Sequence, residues 1–212
     1  MKTRFHVMTA TILGGALAAG MAHAQVENAG YYAGFMGGYA WGGDDRVGLN
    51  PLSPGLGVLR QKGSFGGVFA GRSWRDGELL VSLEGELMGA SIRDSFVNGT
   101  DAASTRMNMG AGLRFRIGRE AAGYTPYFAV GMAVGWFDYQ VTDGTNSIDT
   151  SFSTEGYTIA TGWERPLGND WSYRVEYRYS SYRGVTLSDG GGNTTKATPV
   201  DQSLRFGLLQ KF

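Results

Sequence analysis

Across residues 107–117 the odd positions are Met107, Met109, Ala111, Leu113, Phe115 and Ile117, while the even ones are Asn108, Gly110, Gly112, Arg114 and Arg116. A repeat of two puts these sets on opposite faces of a strand; a helix would scatter the arginines around its circumference. Residues 171–179 repeat the pattern, with Trp171, Tyr173, Val175, Tyr177 and Tyr179 against Ser172, Arg174, Glu176 and Arg178. So do residues 79–88, where Leu79, Val81, Leu83 and Leu87 oppose Ser82, Glu84 and Glu86. Residues 30–41, 64–74, 127–139, 155–164 and 202–212 fit the template less sharply. The pattern predicts eight strands. Short links at 75–78, 118–123 and 166–170 alternate with long ones at 42–63, 91–104, 141–154 and 184–201. The long links carry the Gly, Asp, Asn, Ser, Thr and Pro of solvated loops. This order predicts an all-β, eight-stranded antiparallel up-and-down barrel with every long loop at one end.

Two such barrels share this period, a soluble one with an apolar interior and a transmembrane one with an apolar exterior. Side-chain volume favours the second, because eight strands enclose only enough space for their own inward side chains. The charged face mixes long Arg and Glu with Gly66, Gly110, Gly112, Gly156, Gly162 and Gly207, which suits a narrow lumen filled by ion pairs. The other face carries Trp171, Tyr173, Tyr177, Tyr179, Phe65, Phe69, Tyr157, Trp163 and Phe206, too bulky a set to converge on one axis. It is expected to face lipid. Tyr31, Trp74, Tyr124, Tyr127, Trp163, Trp171 and Phe212 gather at the short-turn end, and Tyr39, Trp41, Phe137, Tyr139, Phe152, Tyr157, Tyr179 and Tyr182 toward the long-loop end. Two aromatic girdles at the lipid–water boundaries are expected from this placement. In hydrocarbon a sheet has no water for its edge amides, so the strand from Gly30 must pair with the one ending in Phe212.

The N-terminus adds a destination. Lys2 and Arg4 precede an apolar, small-residue run that ends in Ala22-His23-Ala24, the three parts of a secretory signal peptide. Residues 1–24 are therefore expected to be cleaved and residues 25–212 to form the barrel domain. A membrane anchor is the other reading, but the run is shorter than the roughly 20 apolar residues of a spanning helix and is diluted by Gly14, Gly15 and Gly20. Both histidines, His6 and His23, leave with the leader, and the chain has 0 cysteines. A Ser-His triad, a Cys-His pair and a histidine or thiolate zinc site are thereby excluded from the barrel domain. The 35 glycines argue against a helical protein, and the formal net charge of +0 lacks the basic footprint of a nucleic-acid binder.

Several stretches resemble the small outer-membrane β-barrel family of Gram-negative bacteria, the OmpA-like and opacity-type, porin-family surface proteins. They are Gly30-Tyr31-Tyr32-Ala33-Gly34, the run from Gly66 through Phe69, Arg72 and Trp74 to Val81-Ser82-Leu83-Glu84-Gly85-Glu86-Leu87, Thr125-Pro126-Tyr127, and the strand ending in Phe212. The resemblance implies an outer-membrane location, contact with membrane lipid and lipopolysaccharide, and Phe212 as the signal read by the barrel-assembly machinery. It implies no cofactor, and no peptidoglycan-binding domain is expected after the barrel. Host or surface ligands would be met through the loops.

The expected lumen groups are Arg72, Glu84, Glu86, Arg106, Arg114, Arg116, Glu164, Arg174, Glu176, Arg178, Arg205 and Lys211, eight bases against four acids. Partners, water or loop carboxylates must complete such a set. A plugged structural barrel displaying four loops, for envelope integrity or surface interaction, is one expectation. A narrow porin-like channel for small solutes or ions is the alternative. Lipid-modifying barrels rely on a catalytic histidine. Glu84 and Glu86, roughly 6.5 to 7 Å apart along one strand face, could still form an acid–base pair, or simply pair with Arg114, Arg116 and Arg174. The loop acids Asp44, Asp45, Asp94, Asp101, Asp143, Asp149, Asp189 and Asp201 lack the spacing of a calcium loop and also suit turns.

Overall fold

The computed structural model describes residues 27–43, 45–50 and 53–212. The expected leader, residues 1–24, lies outside these. Eight long strands form the wall: β1 (Glu27–Trp41), β4 (Lys62–Asp76), β5 (Leu79–Asn98), β6 (Asp101–Arg119), β7 (Thr125–Thr142), β8 (Ser147–Gly168), β9 (Trp171–Tyr182) and β12 (Val200–Lys211). They close in the order β1-β12-β9-β8-β7-β6-β5-β4, every pair antiparallel. At the seam the Tyr31 amide donates to the Phe212 carbonyl at 3.0 Å, and the Phe212 amide donates to Tyr31 at 2.9 Å. No sheet edge is left for the bilayer to strand. The short-turn end carries tight reversals: Asn169 and Asp170, both at positive φ, join β8 to β9, the conformation that matches the twist of a two-residue hairpin.

The segments expected as loops are largely strand. β5 and β6 run on past the apolar belt and meet at Asn98 and Asp101, and β7 and β8 do the same at Thr142 and Ser147. The other two long links hold hairpins, β2 (Asp45–Leu49) with β3 (Ser53–Leu59) and β10 (Val185–Ser188) with β11 (Thr194–Ala197). The hairpins join through reciprocal Asn50–Thr194 backbone bonds of 2.8 and 2.9 Å. Satisfying their backbone groups in this way lets these segments stand clear of the membrane as ordered structure.

The outer wall is apolar where the pattern requires it. Phe35, Leu83, Leu87, Leu113, Phe115, Met132, Ile159, Phe206 and Leu208 are all exposed, in a belt of side chains with no protein to cover them. Tyr31, Tyr124 and Trp163 lie outward near one edge, and Tyr39, Trp41 and Tyr157 near the other.

In β4 the opposite phase holds. Phe65 and Phe69 point inward, at 7% and 3% exposure, and Val68 points out with Gly66 and Arg72 on the same face. The glycines of the neighbouring strand admit the two rings: a Cβ on Gly34 would lie 2.7 Å from the Phe69 ring, and one on Gly38 equally close to that of Phe65. A second departure follows from a β-bulge. Between Met109 and Met107 the pairing with β7 skips Asn108, and one extra residue turns every later side chain of a strand to the other face. Met107 is consequently buried inside and Arg106 exposed outside. Tyr127, Phe137, Tyr139, Phe152 and Tyr182, expected in the girdles, also lie inside, where interior packing takes up their rings.

Leu113→Arg, at mid-belt, is expected to lower the stability of the barrel in lipid vesicles by about 2–4 kcal/mol, the cost of a cation on the lipid face. Val97→Arg, in the extension beyond the belt, should leave urea unfolding nearly unchanged.

Candidate functional site

The belt leaves one place for the charged face to go. Glu84 is fully buried and is met from three strands: Arg114 Nε donates to Oε1 at 2.7 Å, Arg174 Nη1 to Oε2 at 2.6 Å, and the Tyr32 hydroxyl to Oε2 at 3.0 Å. Arg116 adds a longer contact of 3.5 Å. Glu176 takes Arg114 Nη1 at 2.6 Å and the Tyr127 hydroxyl at 2.9 Å. Glu86 is paired with Arg178 and, at 3.0 Å, with Arg205. Glu164 receives Arg116 at 3.2 Å and Lys211 at 2.8 Å, the lysine standing half open to solvent at the short-turn mouth. Arg114 thus bridges Glu84 and Glu176 and lies 3.8 Å from Glu86, and no lumen glutamate stands alone. Planar guanidinium groups suit this duty, since one can serve two partners in fixed directions.

Aromatic faces complete the cradle. The Arg174 guanidinium lies 3.7 Å from the Phe69 ring centre, Arg116 4.0 Å from that of Tyr127, and Arg205 4.8 Å from that of Phe65. Those rings are inside because each offers its electron-rich face to a cation that the glutamates do not fully surround.

Of the twelve expected lumen groups, Glu84, Glu86, Arg114, Arg116, Glu164, Arg174, Glu176, Arg178 and Arg205 come together in the interior, with Lys211 at its mouth. Arg72 and Arg106 do not belong to it. Arg72 faces outward near the short-turn edge, 5.1 Å from the Tyr31 ring centre and 5.4 Å from that of Trp74, and at this edge a guanidinium can reach water along the aromatic girdle. Arg106 is outside through the bulge described above. Asp201, expected as a loop residue, instead faces Arg178 and Arg205 and adds a further acid to the set. Its inward phase along β12, two residues before the buried Ser203, was the available signal.

Toward the long-loop end the interior becomes apolar. Met36, Phe65, Met88, Ile92, Met107, Phe137 and Tyr182 pack as one cluster, with Phe137 edge-on to Tyr182 and stacked on Phe152. Beyond it a second cluster joins Val47, Leu49 and Leu59 of the first hairpin to Leu187 and Ala197 of the second, over Ala103, Tyr139, Val141 and Ile148 of the wall. The buried Asp45 carboxylate ties the two hairpins together, accepting from the Thr198 amide at 2.9 Å and the Thr198 hydroxyl at 2.8 Å. Asp143 and Asp189 fold back on their own turns; bonds from Asn146 and Asn193 respectively head the causes that hold both below the usual carboxylate range. Asp94 accepts from the Arg60 amide at 2.6 Å and Asp149 from Gln140 at 3.0 Å. Asp44 lies outside the described residues, among which no metal-holding cluster of His, Cys, Asp or Glu occurs.

The amino-acid sequence matches the family described as outer membrane protein beta-barrel domain over residues 9–212. It is 29% identical over 158 residues to the 22 kDa outer membrane protein of Rhizobium leguminosarum bv. viciae, covering 74% of this chain and 71% of the relative. It is 26% identical over 188 residues to the 25 kDa outer-membrane immunogenic protein of Brucella abortus biovar 1, covering 89% and 81%. The crystal structure of Neisserial surface protein A is similar in fold, with a TM-score of 0.51 at 16% identity over 88% of this chain and 99% of that one.

Arg114→Ala is expected to destabilise the folded barrel by about 3–5 kcal/mol, because it removes the cation that buried Glu84 and Glu176 share; equilibrium urea unfolding reads this out. Glu78→Gln, in the exposed pair with Arg119, should move the same midpoint far less. Asp45→Ala is expected to speed trypsin cleavage at Arg46 and Lys196 on intact cells while the barrel stays folded. Unchanged cleavage rates would remove Asp45 as the latch.

Proposed function

We propose, from the premise that this chain belongs to the outer membrane protein beta-barrel domain family, that it is a closed surface barrel. Its lumen is plugged, and its ordered crown serves envelope integrity or contact with surface partners. The observation that carries this reading is the filling of the interior at every level. Ion pairs occupy the short-turn half, the Met–Phe cluster the middle, and the hairpin-capped cluster the long-loop end. Eight strands leave no further width for a water column past these side chains.

A non-enzymatic role fits the same geometry. Glu84 and Glu86, which sequence spacing allows as an acid–base pair, are buried and each held by several arginines, so their oxygens are taken up within the barrel and meet no substrate. Short turns belong on the periplasmic side and the long extensions outside the cell. The crown is then the part that other molecules meet, in keeping with the Brucella relative's description as immunogenic. Phe212, exposed at the end of the closing strand, serves in this reading as the signal for the assembly machinery. Lipopolysaccharide is the partner nearest the crown.

In planar bilayers the purified full-length chain is expected to give no stable single-channel steps, while its unboiled gel band migrates apart from the boiled one as a folded barrel. Arg114→Ala combined with Arg205→Ala, if it folds, should raise leak. Large, stable steps from the unaltered protein would replace this reading with that of a narrow channel.

A further inference from the structure

On the outer wall three cations stand side by side just above the aromatic edge of the belt. Lys62 of β4 is in direct register with Arg93 of β5, and Arg93 with Arg106 of β6. All three are exposed, and none forms a salt bridge or side-chain hydrogen bond among the described residues. Asp138, next in register after Arg106, feels that one cation but is bonded to Asn108 and Ser151, and neither Lys62 nor Arg93 has such a neighbour in register. The neighbouring Asp94, which borders the same patch, has its carboxylate engaged by the Arg60 amide at 2.6 Å. Like charges directly opposite one another on adjacent strands repel. Side by side on an exposed face, the three form a basic row open to an anion from outside the chain.

The level and surroundings of the row say which anion. Trp41 is paired with Lys62, and Tyr39 with Ser64, so the row stands at the height where indole and phenol rings meet lipid headgroups. Ser64, Ser91, Ser95 and Ser104 add hydroxyls to a concave patch of about 610 Å³ around the cations. Below it on the same strands Gly37, Gly66 and Gly89 lie side by side, leaving the wall without side chains. Further down, past the exposed row of Phe35, Val68 and Leu87, an apolar trough of about 740 Å³ floored by Ala33, Ala70 and Gly85 runs to Trp171 and Phe212 at the short-turn end. Cations and hydroxyls at the headgroup level, above a wall bare of side chains at Gly37, Gly66 and Gly89, fit the phosphate of a lipid.

We propose that the outer wall of β4–β6 binds a phosphorylated glycolipid of the outer leaflet, with its phosphate held by Lys62, Arg93 and Arg106 and its acyl chains against the apolar wall below. This deepens the partnership with lipopolysaccharide proposed above, and rests on it for the orientation of the crown.

Titration of the purified full-length barrel in neutral detergent with bisphosphorylated lipid A, read by native mass spectrometry, tests the site. The unaltered protein is expected to bind this probe at least tenfold more tightly than its dephosphorylated form. The variant carrying K62Q, R93Q and R106Q should lose that preference, and one carrying K62R, R93K and R106K should keep it. The residues are exposed, so heat-modifiable mobility should persist; Arg93→Glu alone serves if the triple variant does not fold. Equal binding of the two lipids, or an unchanged preference in the neutralised variant, overturns the proposal. Displacement of the lipid by inorganic phosphate alone would overturn the lipid assignment. Conductance is read separately: a barrel that conducts yet still distinguishes the lipids retains this site, and a silent barrel that does not distinguish them lacks it.

Discussion

A charge in the core of an eight-stranded barrel has no water to turn to, so each must be answered by another side chain from across the lumen. That requirement organises the interior. Glu84 and Arg114 come from the adjoining strands β5 and β6, but Arg174 and Glu176 reach them from β9, on the far side of the ring. The pairs therefore tie together strands that share no backbone hydrogen bonds. Their net contribution to stability is modest, since desolvation offsets most of the Coulomb gain. Their consequence is register: a slip of one residue in β9 would send Arg174, Glu176 and Arg178 into hydrocarbon and bring Tyr173 and Tyr177 inward.

The same geometry divides the molecule by height. Where the outer wall meets lipid, the inside is ionic at one end and apolar at the other, and the backbone is satisfied wholly by the ring. Above the belt the wall continues as strand while its outer face turns polar at Arg93, Arg106 and Asp138, and the inside becomes a second apolar core under two hairpins. The crown is thus an ordinary protein interior standing on a membrane one, continuous through Phe152, which packs against both clusters. With the interior filled at both levels, the surfaces such a barrel presents to other molecules are the outside of the wall and the crown.

The fold was legible because period two needs no tertiary information. The alternation over residues 107–117 and 171–179 placed Arg114, Arg116, Arg174, Glu176 and Arg178 on one face, and the order of long and short links stated the meander. What misled was local. Phe65 and Phe69 look lipid-facing by type, but β4 is glycine-rich and carries weak alternation, so its phase depends on the room left by Gly34 and Gly38 on the paired strand β1. Arg106 reads as inward until Asn108 is known to bulge, and a single bulge carries no signature in this sequence. The long links look solvated because their apolar residues, such as Val47, Leu49 and Leu187, are spaced among turn formers, and only their mutual contact makes them a core.

The sequence by itself therefore determined the strand period, the closed meander and the separation of a charged face from a greasy one, since these follow from pleat geometry and from the backbone's need for partners in hydrocarbon. Tertiary structure alone decided which carboxylate meets which guanidinium, which aromatic rings turn inward, and that the long connections fold over the mouth. Those outcomes depend on distances between strands remote in the chain, where the space left by one side chain is set by the size of another.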